Sequence, residues 1–163
     1  MTGVKTFDPS AKVPAQPSRI EREDWEVPAR IFEVEHAFYR FTIDVAASAA
    51  NRVVPRYFDR ERDGLRQSWA GERVWMHPPH SDVERWVRKA GYEARRGTLV
   101  VGLIPCRTGA PWWHEAVLPI ARVRFLCGPI LWRLGGLPLA GQRKVDGPRG
   151  DFAIVEWTIG RRG

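Results

Sequence analysis

The sequence is poor in the residues that staple small secreted or metal-stabilised domains together. It has only two cysteines, Cys106 and Cys127, in 163 residues. They show no C-x-x-C spacing, which excludes a disulfide framework and predicts two buried thiols in a reducing compartment. No H-E-x-x-H is present, and no apolar run approaches the ~20 residues that a transmembrane helix needs. The longest is "TLVVGLIPC", and the first residues lack the apolar core of a signal peptide. Lysine is scarce as well, 4 against 22 arginines. Together these absences predict a soluble, non-secreted, cytoplasmic protein with no membrane segment and no metal centre.

What the chain does have is aromatic bulk and positive charge. Hydrophobic residues make up 44% of it, with eight tryptophans to fill one core. The net charge is +7 and is unevenly placed. Residues 1–82 carry 12 basic and 13 acidic side chains, whereas residues 83–163 carry 14 and 6. A polyanion would meet the second half, and nucleic acid is the usual one. The competing reading is that the arginine excess is compositional.

Along the chain, residues 1–22 hold Pro9, Pro14 and Pro17 without apolar periodicity and predict a flexible leader. A single domain is expected from residue 23 to 163. Pro28 fits the first turn of a short helix whose apolar residues include Ile31, Phe32 and Val34. "RFTIDVAA" predicts a strand ending at Asp44, followed by the start of a small-residue helix reaching Asn51. "RVWM" predicts a second strand. Ser81 and Glu84 have the spacing of a capping box, and Val83, Trp86, Val87 and Ala90 then form one apolar stripe. Gly97 marks the stop. "TLVVGLIP" suits a strand covered on both faces. "ARVRFLCG" and "DFAIVEW" predict two more strands, with Arg122 and Arg124 outward on the first. Between them, residues 135–150 form a Gly/Pro/basic loop. Strands alternating with helices point to an α/β fold, a three-layer sandwich.

The segment "VWMHPPHSDVERW" concentrates the chemistry. His77-Pro78-Pro79-His80 leaves the carboxyl end of a strand just before a helix N-terminus, the edge where open α/β sheets bind ligands. Proline fixes φ and has no N–H, so Pro78 and Pro79 present carbonyls in set directions. Polyproline geometry, at roughly 3.1 Å per residue, would place His77 and His80 about 9 Å apart at Cα, a poor pair for one ion. A rigid structural turn is the plain alternative. Elsewhere, Asp44 reads as a helix N-cap, Asp63 before Gly64 as a turn residue, and Trp112, Trp113 and His114 as core and rim.

The pieces "DWEVP", "FTIDVAASAAN", "DGLRQSW", "VWMHPPHSDVERWVRKA" and "IPCRTGAPWWHE" occur in the order and spacing of the phage-type, Dam-like DNA adenine N6-methyltransferases. The resemblance covers roughly Asp24 to Gly128. It implies a compact Rossmann-like methyltransferase fold, S-adenosyl-L-methionine as cofactor and double-stranded DNA as substrate, met in the host cytoplasm if the chain is phage-encoded. It also implies roles by position. Asp44, Ala46 and Ala47 resemble the motif at the methionine end of the cofactor. Asp63 resembles the acidic residue near its adenine, and Trp25 and Pro28 the N-terminal cofactor-side segment. Arg107 and Thr108 match a recurring pair without an assigned role.

His77 and His80 take the positions that the family fills with Asn and Tyr in Asn-Pro-Pro-Tyr. There the Asn side chain and the first Pro carbonyl accept from adenine N6, and the aromatic residue stacks on the flipped-out base. A neutral imidazole keeps one acceptor nitrogen and can stack, so His77, Pro78, Pro79 and His80 are the expected catalytic group. Protonation near pH ~6.5 would remove the His77 acceptor. Two other readings remain open. One is a degenerate relative that binds DNA or cofactor without methyl transfer, the other an enzyme modifying a different base or a nucleotide.

Overall fold

A computed structural model describes residues 25–132 and 150–158. The expected leader over residues 1–22 and nearly all of the loop 135–150 lie outside the described residues. The described chain gives α1 (Ala29–Tyr39), β1 (Ile43–Asp44), β2 (Arg73–Met76), α2 (Val83–Arg95), β3 (Leu99–Pro105), α3 (Pro111–Ala116), β4 (Ala121–Phe125) and β5 (Phe152–Trp157). The five strands form one open mixed sheet in the order β1-β2-β3-β5-β4. β1, β2 and β3 run parallel, with Val74 opposite Ile43 on one side and Val100 on the other. β5 runs antiparallel to both β3 and β4. The carboxyl ends of β1, β2 and β3 therefore open onto one edge.

Alternation along the strands divides the core between two faces. Val74, Met76, Val100, Ile104, Ala153, Val155 and Trp157 face α2 and α3 with Trp69, Trp86, Trp112 and Trp113. Trp75, Val101, Leu103, Phe152 and Ile154 face the other way, toward Trp25, Phe32 and Trp132. All eight tryptophans are buried, including the Trp112–Trp113 pair expected as core and rim. β3 is covered on both faces, as its continuous apolar run requires. The α2 stripe is buried at Val83, Trp86, Val87 and Ala90. Gly97 then takes φ +94° and donates to the Ala94 carbonyl at 2.9 Å, ending the helix by a left-handed turn.

Several expectations are corrected. Pro28 is the N-cap of α1 and precedes its first turn, and Val34 on that helix is 66% exposed. The N-cap of α2 is Asp82, with no side-chain cap bond, so Ser81 lies outside the helix and the capping box does not form. Glu84 reaches Arg88 one turn on instead. The residues after Asp44 turn without becoming a helix. Asn51 Oδ1 accepts from the Ser48 N–H and hydroxyl, and Ser48 Oγ accepts from the Ala50 and Asn51 N–H groups, local bonds that compete with helical ones. Cys106 is half-buried, but Cys127 is exposed. Arg122 and Arg124 do point outward, yet Arg124 pairs with Glu35, a buried carboxylate on α1. No helix among the described residues is long and apolar enough to cross a membrane.

Candidate active site

Asp44 closes β1 at the centre of a dense backbone knot. Its N–H donates to the Arg56 carbonyl and its carbonyl accepts from Phe58, tying the strand end to residues 56–58. The carboxylate is almost fully buried. Oδ2 accepts from the Val53 N–H at 3.2 Å and Oδ1 from Ala46 at a long 3.4 Å. Burial pushes the carboxyl up to about 7, and these two bonds offset only part of that rise. Asp44 thus shapes the turn that carries Ala46 and Ala47; it is not the expected helix N-cap, because no helix follows it.

Beside that knot lies a cleft of about 200 Å³. Ala46, Ala47 and Asn51 come from the turn after β1, residues 58–60 and 63–65 from the next segment, Pro79 from the loop after β2, and Asp82, Arg85 and Trp86 from the start of α2. Of the expected cofactor residues, the cleft brings together Ala46, Ala47 and Asp63; Asp44 stands behind its wall. Trp25 belongs to the core on the other face, and Pro28 is a buried cap of α1. Asp63 adopts φ +47°, with Oδ1 accepting from the Leu65 N–H and Oδ2 facing Arg66. Gly64 follows for a steric reason. A Cβ there would stand 2.1 Å from the Val45 carbonyl oxygen and 3.1 Å from the Trp86 ring. The Trp69 indole N–H fixes the Gly64 carbonyl at 2.9 Å.

Small side chains, three acids, two arginines and two aromatic walls suit a nucleoside-bearing cofactor with hydroxyls to bind. The volume falls below the roughly 300–1,000 Å³ of ligand pockets in general, so the cleft has room for only part of such a molecule.

The loop after β2 separates this cleft from a second environment. Pro79 lines the cleft, while the two imidazoles meet aromatic rings from elsewhere. A turn closed from the Asp82 N–H to the Pro79 carbonyl bends the loop, so the His77 and His80 rings meet edge to face at 5.4 Å. Trp132 stacks on His77 at 5.1 Å with planes 16° apart, and Phe152 flanks both His80 and Trp132. His77 keeps some exposed surface, but its Nε2 is enclosed and has no hydrogen-bond partner among the described residues. Such an atom costs about 1–3 kcal/mol. Burial, then the His80 charge, pushes the His77 pKa down to about 3. The imidazole therefore stays neutral well below the pH ~6.5 expected from an unperturbed histidine. Among the described residues no group of three His, Cys, Asp or Glu could hold a metal ion.

Arg107 acquires a contact that sequence could not supply. Its guanidinium donates to the His80 carbonyl at 2.9 Å, clasping the loop after β3 to the tetrapeptide. The Thr108 carbonyl meets His114 Nε2 at 2.7 Å, holding that same loop to α3. Trp132, Phe152 and Gly64 were not singled out from sequence. A glycine immediately after Asp63 was the one available signal, because close backbone approach demands that residue. Nothing local marks Trp132, whose partners come from another strand end.

Residues 15–148 match the family described as DNA N-6-adenine-methyltransferase (Dam). A protein of Escherichia phage T1 named DNA N-6-adenine-methyltransferase is 27% identical over 97 residues, covering 58% of this chain and 41% of that relative. One of the same name from Haemophilus phage HP1 (strain HP1c1) is 24% identical over 100 residues, covering 60% of this chain and 58% of the relative. The matches thus span between two fifths and three fifths of the length of these curated relatives.

Proposed function

The chain belongs to the DNA N-6-adenine-methyltransferase (Dam) family, and from that premise we propose that it transfers a methyl group from S-adenosyl-L-methionine to adenine N6 in double-stranded DNA. The observation that carries this reading is the placement of the His77–His80 loop. It stands at the carboxyl edge of the parallel strands, between a cleft fit for part of the cofactor and an aromatic enclosure fit for a planar ring. In this reading the five-stranded sheet is the centre of a three-layer, Rossmann-like sandwich, and the protein works in the cytoplasm of a phage host.

Ala46, Ala47 and Asp63 contact the cofactor, and Asp44 holds the turn that presents the two alanines. When bound, S-adenosyl-L-methionine supplies an electrophilic methyl on a sulfonium, so the protein's task is mainly orientation. His77 and the Pro78 carbonyl accept hydrogen bonds from N6–H, drawing charge from the amine as its lone pair turns toward the methyl. The lowered pKa of His77 keeps an acceptor available throughout neutral and mildly acid pH. His80 bounds the base from the side. The basic residues 83–163 supply phosphate contacts.

Transfer of labelled methyl groups to unmethylated duplex DNA is the direct test. His77→Ala should lower turnover roughly a hundredfold or more while calorimetric cofactor binding stays intact. His77→Asn, which restores a side-chain acceptor, should hold activity. No transfer by the wild-type protein, together with retained DNA or cofactor binding, establishes instead a relative that binds without transferring. The enclosed His77 nitrogen is the observation that favours that second reading. Transfer to free nucleotide or another base in place of duplex adenine would redirect the substrate assignment.

A further inference from the structure

Charge counted by halves of the sequence does not tell which cations are free to meet a phosphate. Of the eight basic residues in 83–132, Arg85, Arg88, Lys89 and Arg124 are engaged by carboxylates. Arg95 and Arg96 end α2, which runs from the carboxyl end of β2 back toward the start of β3, so they lie at the opposite edge of the sheet. Arg122 stands across from Glu156 on β5, and Arg107 clasps the His80 carbonyl. The first half, nearly neutral by count, holds a different arrangement. Arg52 and Arg62 are both exposed, and neither makes an ion pair among the described residues. Arg52 donates to the Ala49 carbonyl at 2.7 Å, and its guanidinium lies over the Tyr57 ring at 5.2 Å. Arg62 donates to the Tyr57 carbonyl at a long 3.4 Å. One tyrosine thus gathers two cations that no acid neutralises, and its own hydroxyl has no hydrogen-bond partner among the described residues. Two like charges held on one residue repel each other unless an anion joins them.

We infer that Arg52, Tyr57 and Arg62 form a phosphate clamp that grips the DNA backbone close to the target base. Tyr57 bridges Asp44 in parallel, so its segment lies outside β1, two strands from the β2 end that carries the His77–His80 loop. At about 4.8 Å per strand that separation is roughly 10 Å. A duplex advances by about 3.4 Å per base step, so the clamp lies about three steps from a base held at the tetrapeptide. Arginine forks match phosphate oxygens, and the Tyr57 hydroxyl supplies a neutral donor beside them. The ring and the two backbone carbonyls already restrain both guanidiniums, which lowers the side-chain entropy lost on binding. The inference rests on the proposed reading of duplex DNA as substrate, and adds a first-half set of contacts to those proposed for residues 83–163. Phosphate contacts carry no base information, so the clamp sets affinity and register but not the sequence chosen.

The test measures duplex binding by the full chain across a salt series, without requiring methyl transfer. Arg52→Gln and Arg62→Gln are compared with wild type singly and together. Each lost contact should flatten the slope of log affinity against log salt by about 0.9 units. Between about 50 and 200 mM salt the wild type should therefore lose about twelvefold more affinity than the double variant. The weakening should be the same on duplexes of different sequence. Arg88→Gln, whose guanidinium lies between Glu84 and Glu115, should leave the slope unchanged. A slope flattened as much by Arg88→Gln as by Arg52→Gln would show an effect of net charge alone and overturn the clamp. The paired Arg52→Lys and Arg62→Lys variant keeps both charges and should keep most of the slope. Loss as complete as with Gln would mean that the arginines only brace their turn, and overturns the inference equally. Duplex binding with an unchanged slope in the Gln pair rejects the clamp and leaves the proposed activity standing. The expected slopes in a protein that transfers no methyl group keep the clamp and reject the activity. No salt-dependent duplex binding by the wild type rejects both.

Discussion

On the cleft side of the His77–His80 loop, the buried polar group is a carboxylate engaged by backbone N–H groups of its own turn. On the aromatic side it is an imidazole nitrogen surrounded by rings and without a hydrogen-bond partner among the described residues. Both groups are driven toward neutrality by burial, but an acid and a base become neutral in opposite directions. Asp44 is pushed up to about 7 and His77 down to about 3. Two sites flanking one short loop therefore respond to pH with opposite sign. The same desolvation makes one a structural clamp and leaves the other waiting for a partner.

The largest expected effect exploits that opposition. For Asp44 the native chain holds the extra proton between pH 3.8 and about 7, so its contribution is fully present below pH 3.8 and is lost as pH rises toward 7. For His77 the unfolded chain holds the extra proton between about 3 and 6.5. Its contribution is present above pH 6.5 and is lost as pH falls toward 3. Each shift spans about three units, an upper bound on the order of 4 kcal/mol. Urea unfolding at several pH values compares wild type with Asp44→Asn and His77→Asn. Asp44→Asn should gain on wild type as pH rises from 4 to 7, and His77→Asn as pH falls from 6.5 to 4. Curves parallel to wild type for both variants would erase the distinction between the two sides.

How much of this was legible in the sequence depends on where the deciding contacts lie. α2 and β3 could be read because each carries its own periodicity and its own stop, at Gly97 and Pro105. Asp44 was legible as a strand end. The turn after it was misread because alanines favour helix, while the Ser48–Asn51 bonds and the Asp44 carboxylate act against it. The tetrapeptide could be located, but its chemistry could not. The low His77 pKa comes from enclosure within the ring cluster that Trp132 and Phe152 complete, contacts formed only when distant segments meet. Likewise, the alternating arginines of β4 announced a solvated face without disclosing the Glu35 carboxylate that Arg124 pairs with.

A middle-sized effect sharpens the cleft side alone. Gly64→Ala would force a methyl against the Val45 carbonyl oxygen, a backbone atom that cannot rotate away, and against Trp86. Overpacking of this kind costs about 1–3 kcal/mol. The strain falls on the wall shared by Asp63, Leu65 and Trp86, so calorimetry should show weakened cofactor binding. The His77 ring resonances, on the other side of the loop, should stay where they are. Movement of both would mean that the loop does not insulate the two environments.

The smallest effect concerns the clasp between them. Arg107 is exposed and donates one bond to the His80 carbonyl. Hydrogen bonds from charged groups are worth about 1.5–3 kcal/mol when shielded, but solvent screening brings an exposed one nearer to 1 or below. Arg107→Ala should therefore shift the unfolding midpoint only slightly. Its larger consequence is orientational: an unclasped His80 backbone lets the tetrapeptide sample other conformations, which broadens the His77 and His80 ring signals and lowers kcat more than it raises KM. Arg107→Lys keeps the charge without the planar fork and should restore only part of this. A different pattern would reassign the residue. If Arg107→Ala leaves the ring signals sharp but weakens DNA binding and flattens its salt dependence by about one unit, and if Lys restores both, the guanidinium is a phosphate contact. Arg107 would then belong to the DNA-facing surface, and the loop would be held by its prolines and the Pro79–Asp82 turn alone.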